Sequence, residues 1–130
     1  MREPVWIREI EALAFHAQQI TIFGGSDGVR DRGLLDSALA RPKNLFAYAN
    51  HVPSMAELAA AYAFGISSNH PFVDGNKRTA MQVSFVFLEF NGYPANATQE
   101  DACLTFLGLA AGEISEAQLA VWFTDHTVAP

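Results

Sequence analysis

The run from Met81 to Phe90 restricts the folds open to this chain more than any other stretch. Wound at 3.6 residues per turn, Val83, Phe85, Val86, Phe87, Leu88 and Phe90 leave almost no side of a helix polar. Such a helix is stable only when its neighbours enclose it. The rest of the chain reads as further helices able to do so. The expected architecture is therefore all-α, a compact six-helix bundle with a buried central helix.

Five other segments carry helix signals. Pro4 suits a first turn, and Ile7, Ile10, Leu13, Ala14, Ala17 and Ile20 recur at helical spacing, which predicts a helix from about Pro4 to Thr21. His16 lies on it and is expected to be a partly buried structural histidine without a chemical role. After a turn-rich Gly24 to Gly28 segment, Asp31 is placed to cap a helix from Arg32 to about Ala40. That helix buries Leu34, Leu35, Ala38 and Leu39 and stops before Pro42. Residues 43 to 52 lack a clear cap and are expected to form a connection, mobile or packed. Ser54-Met55-Ala56-Glu57 is a capping box for a helix to about Ser68. The helix holding the Met81 run extends from about Lys77 to Asn91, ended by Asn91-Gly92. Thr98 starts a fifth helix to about Ala111, with Leu104 to Leu107 and Leu109 on it. Ser115 opens the last, with Leu119, Val121, Trp122 and Phe123 facing inward.

At 130 residues and 50% hydrophobic, the chain is expected to form one domain, 1–130, around one core. Its formal charge of −6 argues against a broad nucleic-acid or anionic-membrane surface. Cys103 is the single cysteine, expected to be a small core residue, and it fits a reducing cytoplasm. No run approaches the roughly 18 apolar residues of a membrane span, and a cytoplasmic location is expected.

The chemistry concentrates just before the Met81 run, in His70-Pro71-Phe72-Val73-Asp74-Gly75-Asn76-Lys77-Arg78-Thr79-Ala80. A helix opening near Asn76 leaves its first N–H groups unpaired at the positive end of its dipole, an anion site. Gly75 permits a bend and close ligand approach. Lys77 and Arg78 add cations, Arg78 with a fork that matches phosphate oxygens. Asp74 offers the hard oxygen that Mg²⁺ prefers beside substrate phosphates. His70 can take a proton near neutral pH. Phe72 is expected to pack inward and orient the loop. Gln82, one turn past Arg78, is expected to face the site and touch nucleotide or target. Asp74-Gly75-Asn76 alone would be an ordinary capped turn; all these groups in one window point to a polyanion.

This window resembles the Fic/Doc superfamily signature, H-x-F-x-[DEN]-[GA]-N-x-R, and is most similar to its death-on-curing (Doc) branch because Lys77 stands between Asn76 and Arg78. Gly24-Gly25-Ser26-Asp27-Gly28-Val29-Arg30-Asp31 resembles the Gly-Gly-x-x-Gly-x-Arg-Asp segment of the same relatives. The resemblance implies the all-α Fic/Doc fold, with ATP as substrate and Mg²⁺ bound at the motif. It implies His70 as the catalytic base, Asp74 as metal ligand, and Gly75, Asn76, Lys77 and Arg78 around the phosphates. Arg30 and Arg32 are either solvated loop charges or contacts to nucleotide or an acidic partner. By the same resemblance, residues 43 to 52 match the place of a target-holding flap.

In the Doc branch a lysine at the position of Lys77 goes with transfer of the γ-phosphoryl group to a hydroxyl of a translation protein of the elongation factor Tu type. The implied function is a toxin that arrests translation. Gly75 stands where the branch's prototype has alanine, and Pro71-Phe72 is the Fic spelling. Both keep AMP transfer open as an alternative. A non-catalytic nucleotide- or partner-binding module is the alternative from another class, which an intact His70, Asp74, Asn76 and Arg78 disfavours. No segment has the [S/T]-x-x-x-E-[G/N] pattern of self-restraining relatives. A separate cognate antitoxin is therefore expected, small and partly disordered, folding onto a hydrophobic groove.

Overall fold

The computed structural model describes residues 2–129. They form six helices: α1 Glu9–Phe23, α2 Arg32–Tyr48, α3 Met55–Asn69, α4 Asn76–Phe90, α5 Gln99–Ala110 and α6 Glu116–His126. The all-α, six-helix expectation matches this architecture. Asp31, Ser54, Thr98 and Ser115 each accept a backbone N–H of the first turn that follows, so four predicted caps set four helix starts.

The most enclosed helix is α3, which lies against α2, α4, α5 and α6. Its run Leu58 to Ala63 is buried without a break. Small side chains make this possible. A Cβ on Gly65 would come within 3.2 Å of the Ala38 Cα on α2, so the two helices approach backbone to backbone at that point. The motif helix α4 is buried along the face bearing Thr79, Ala80, Val83, Ser84, Phe87 and Leu88, while Phe85 and Val86 are half-buried and Phe90 is exposed. Enclosure on every side, expected for α4, belongs rather to the alanine-rich α3 beside it. Alanines let four helices come close at once, whereas α4's phenylalanines fill the space between helices.

Several boundaries differ from the sequence expectation, each for a tertiary reason. Helix α1 begins at Glu9 rather than Pro4. The residues before it extend across the core, with the Ile7 N–H donating to Tyr62 Oη at 2.9 Å. Asn91 meets Val5 on both backbone groups, accepting its N–H at 2.8 Å and donating to its carbonyl at 3.0 Å. Burial pushes the Tyr62 phenol above its ordinary range. The inward face of α1 is shifted from the expected one: Ala12 and His16 are buried and Leu13 and Ile20 half-buried, while Ile10 is 67% exposed. Helix α2 continues through Pro42 to Tyr48. Pro42 is buried, and Leu45 and Phe46 pack on the core beyond it, which offsets the hydrogen bond a proline cannot donate. Residues 43 to 48 are thus helical and not a flap. Cys103, Leu104, Leu107 and Val121 are exposed, contrary to expectation, because α5 buries Ala102, Thr105, Phe106 and Leu109 and α6 buries Leu119 and Phe123. No helix among the described residues is long and apolar enough to cross a membrane.

Candidate active site

The loop between α3 and α4 forms one wall of a pocket of about 290 Å³ lined by Ser67, His70, Val73, Asp74, Gly75, Asn76, Lys77, Arg78 and Ala110. Six residues singled out from the sequence therefore share one cavity. Ser67, Val73 and Ala110 join them from α3, the loop and the end of α5. No cluster of three metal-ligating side chains occurs among the described residues. A cation here would rest on Asp74 and on the ligand's own oxygens, as Mg²⁺ commonly does.

His70 ends α3 in the left-handed conformation, φ 48° and ψ 56°, and is the single non-glycine residue with positive φ among those described. A side chain held there costs about 1–3 kcal/mol and needs surroundings that over-determine it. Arg30 supplies part of that restraint. Its Nε donates to the His70 carbonyl at 2.7 Å and its Nη2 to the Asn69 carbonyl at 2.8 Å. The guanidinium thus occupies acceptors left open at a helix C-terminus, where a cation is also favoured by the dipole. Arg32 pairs with Glu9. Neither arginine is a free loop charge.

Asn76 is buried, and its amide binds the loop itself. Oδ1 accepts the Phe72 N–H at 3.0 Å, and Nδ2 donates to the Phe72 carbonyl at 3.0 Å and to His70 Nδ1 at 3.2 Å. With Oδ1 committed to an N–H, the remaining contacts fix the amide orientation and make His70 Nδ1 an acceptor. Both amide hydrogens are engaged, and the side chain ties the loop's two ends together. Phe72 is buried as expected and stacks on His16, with centroids 3.8 Å apart and planes within 5°.

Asp74 is exposed at the pocket edge. Its Oδ1 accepts the Gly75 N–H at 2.9 Å and its Oδ2 the Ser26 N–H at 3.3 Å. Each oxygen retains a lone pair, so the carboxylate fits a divalent cation while staying oriented. The Gly24 to Gly28 segment comes close because Gly25 has no Cβ: one would lie 2.6 Å from Asp74 Oδ2. The same segment pairs with the motif loop like a short antiparallel strand, with Val73 N–H to the Gly28 carbonyl at 3.0 Å and Arg30 N–H to the Pro71 carbonyl at 2.7 Å.

Gly75 caps α4 at φ 77°, and a Cβ there would face Ile20 at 3.2 Å and the His16 ring at 3.7 Å. Its missing side chain therefore leaves room toward α1 and not toward the pocket. Lys77 is exposed at the pocket, and Arg78 lines it while its guanidinium lies 4.6 Å over the Phe23 ring. Gln82 does not reach the cavity. It is held by Gln18 and Gln19 of α1, donating to Gln18 Oε1 at 2.9 Å.

Sequence reasoning left Arg30 between a solvated charge and a contact to nucleotide or an acidic partner, and gave His16 no chemical role. Their partners lie 40 and 58 residues away, and the one local signal was the glycine-rich segment that carries Arg30.

Comparison with known proteins agrees with this arrangement. The Fic/DOC family profile matches residues 6–88. A protein kinase doc of Escherichia phage P1 is 34% identical over 110 residues, covering 85% of this chain and 86% of that protein. A toxin Doc of Mycolicibacterium smegmatis is 46% identical over 70 residues, 54% of each chain. The motif that lines the pocket lies inside the matched region, and this chain belongs to the Fic/Doc family.

Proposed function

We propose that this protein is a Doc-type toxin kinase that transfers the γ-phosphoryl group of ATP to a hydroxyl of a target protein. The observation that carries the reading is Lys77 at the mouth of the pocket, beside Arg78 and the open N-terminus of α4. A relative named protein kinase doc over most of its length supports it. Bound Mg²⁺ would draw charge from the phosphate oxygens, and Asp74 would hold it. Lys77, Arg78 and the first N–H groups of α4 would hold the triphosphate and stabilise the charge that builds in the transition state. The target's hydroxyl oxygen forms a bond to the γ-phosphorus, the bond to the bridging oxygen breaks, and ADP leaves. His70 takes the hydroxyl proton at Nε2. That requires the Nδ1-protonated tautomer, so the 3.2 Å Asn76 contact, the longest of the three, is given up on substrate binding.

Gly75 no longer favours AMP transfer, because its missing Cβ points to α1. A translation factor of the elongation factor Tu type as target, and a separate small antitoxin that covers the site, remain part of the proposal. Incubating the protein with Mg²⁺, a cell lysate and ATP labelled at either the γ or the α position tests it, with His70→Ala as control. His70-dependent γ label on one band supports the kinase; α label alone means AMP transfer; no His70-dependent label means a binding module.

A further inference from the structure

His16 is buried, on α1, and outside the pocket, and the reaction just described makes no use of it. Its Nε2 lies 2.8 Å from the Asp74 carbonyl oxygen. A carbonyl can only accept, so Nε2 carries the proton. Nδ1 is 4.0 Å from Asp27 Oδ1, beyond a hydrogen bond, and the Nε2 donor is present whether the ring is neutral or charged.

In a trans peptide the C=O and N–H point in opposite directions. With the Asp74 carbonyl turned to α1, the Gly75 N–H points away from α1, where it donates to Asp74 Oδ1. One hydrogen bond from His16 thus sets the peptide plane that orients the carboxylate and leads into the α4 N-terminus. The residue after the plane is glycine at φ 77°, which tolerates either sign of φ, so without the His16 donor only the local Gly75 N–H to Asp74 Oδ1 bond would oppose its turning over. Turned over, the peptide would present its carbonyl oxygen toward the pocket side and withdraw the N–H from Asp74. A partial negative charge would then stand where phosphates are to bind.

We propose that His16 is the positioning residue of this site: from α1 it locks the Asp74–Gly75 peptide so that the carbonyl faces away from the pocket. The inference rests on the phosphoryl-transfer reading for its kinetic consequence, but not for its geometry. Two variants separate the ring's two contacts. His16→Phe keeps an aromatic ring to stack on Phe72 and deletes the donor. His16→Gln loses the stack and keeps an N–H at a similar reach.

Transfer from γ-labelled ATP, ADP binding by calorimetry and thermal unfolding would be measured on wild type and both variants. His16→Phe is expected to lower kcat by about 10²-fold, since misplacing a reacting group by about 1 Å costs that much. It should also weaken ADP binding, at nearly unchanged Tm; His16→Gln should recover most of both at a lower Tm. A structural role alone predicts the reverse order, with His16→Phe active and His16→Gln impaired in step with its Tm, and that result overturns the proposal. The wild-type ring offers a second measurement, independent of activity. Nitrogen NMR should show Nε2 protonated and coupled to the Asp74 carbonyl carbon, and an unprotonated Nε2 overturns the assignment whatever the reaction proves to be. If wild type transfers no label while Nε2 is so coupled, the functional reading fails and the positioning geometry stands.

Discussion

At the scale of single residues, the site is built from side chains that hold backbone. Asn76 holds Phe72 by both of its peptide groups, Arg30 holds the carbonyls of Asn69 and His70, and Asp74 is itself held by two N–H groups. Replacing Asn76 by Ala leaves a buried N–H and carbonyl of Phe72 without partners, each costing about 1–3 kcal/mol. Asn76→Asp keeps an acceptor for the N–H but sets a carboxylate against the Phe72 carbonyl, repelling the peptide that the amide holds. Both variants should therefore lose transfer activity and unfold at lower denaturant concentration. An Asp variant with wild-type stability and activity would show that the amide's hydrogen bond to the Phe72 carbonyl is dispensable. The residue types of this window were legible from the sequence, because a helix start, two cations, a carboxylate and an imidazole have direct chemical meaning. What else they hold was not: in three dimensions the Asn76 amide ties the loop together, and Gln82, one turn further on, is held by α1.

At the scale of elements, four of the helix starts were legible because a cap is a local device, with a side chain and the N–H it accepts only three residues apart. Glu57 gives one of these caps a pH signature. The backbone N–H of Ser54, which donates to its carboxylate at 3.0 Å, holds its pKa below 4.5 with help from His51, against a smaller opposing effect of desolvation. A carboxylate with a depressed pKa stabilises the fold above its unfolded value, and that contribution disappears as pH falls through the folded value. The gap in Tm between wild type and Glu57→Gln should therefore be largest near neutral pH and close as the pH is lowered through and below 4.5. A gap that widens on acidification would contradict the cap. The end of α2 was not legible. Proline reads as a stop because it lacks a donor, and only the packing of Leu39, Pro42, Leu45 and Phe46 on the core shows why the helix continues.

For the whole molecule, the core is centred on α3 and the α4 face against it, with Tyr62 and Phe87 5.1 Å apart and Trp6 stacked on Phe87 from the N-terminal segment. Truncating Phe87 to Ala should cost ~3–5 kcal/mol in denaturant unfolding. Ile10→Ser, at a position that helical spacing alone places in the core, should change stability by less than about 0.5 kcal/mol. Equal effects would mean that α1 presents its other face inward. By itself the sequence determined the helical class, the caps and the chemical content of the His70 to Arg78 window, since each depends on residues within one continuous stretch of chain. The tertiary structure decided which helix is central, which face of α1 is buried, and that His16 and Arg30 belong to the site. Those outcomes depend on contacts between residues far apart in the chain, where packing and peptide orientation outweigh local preference.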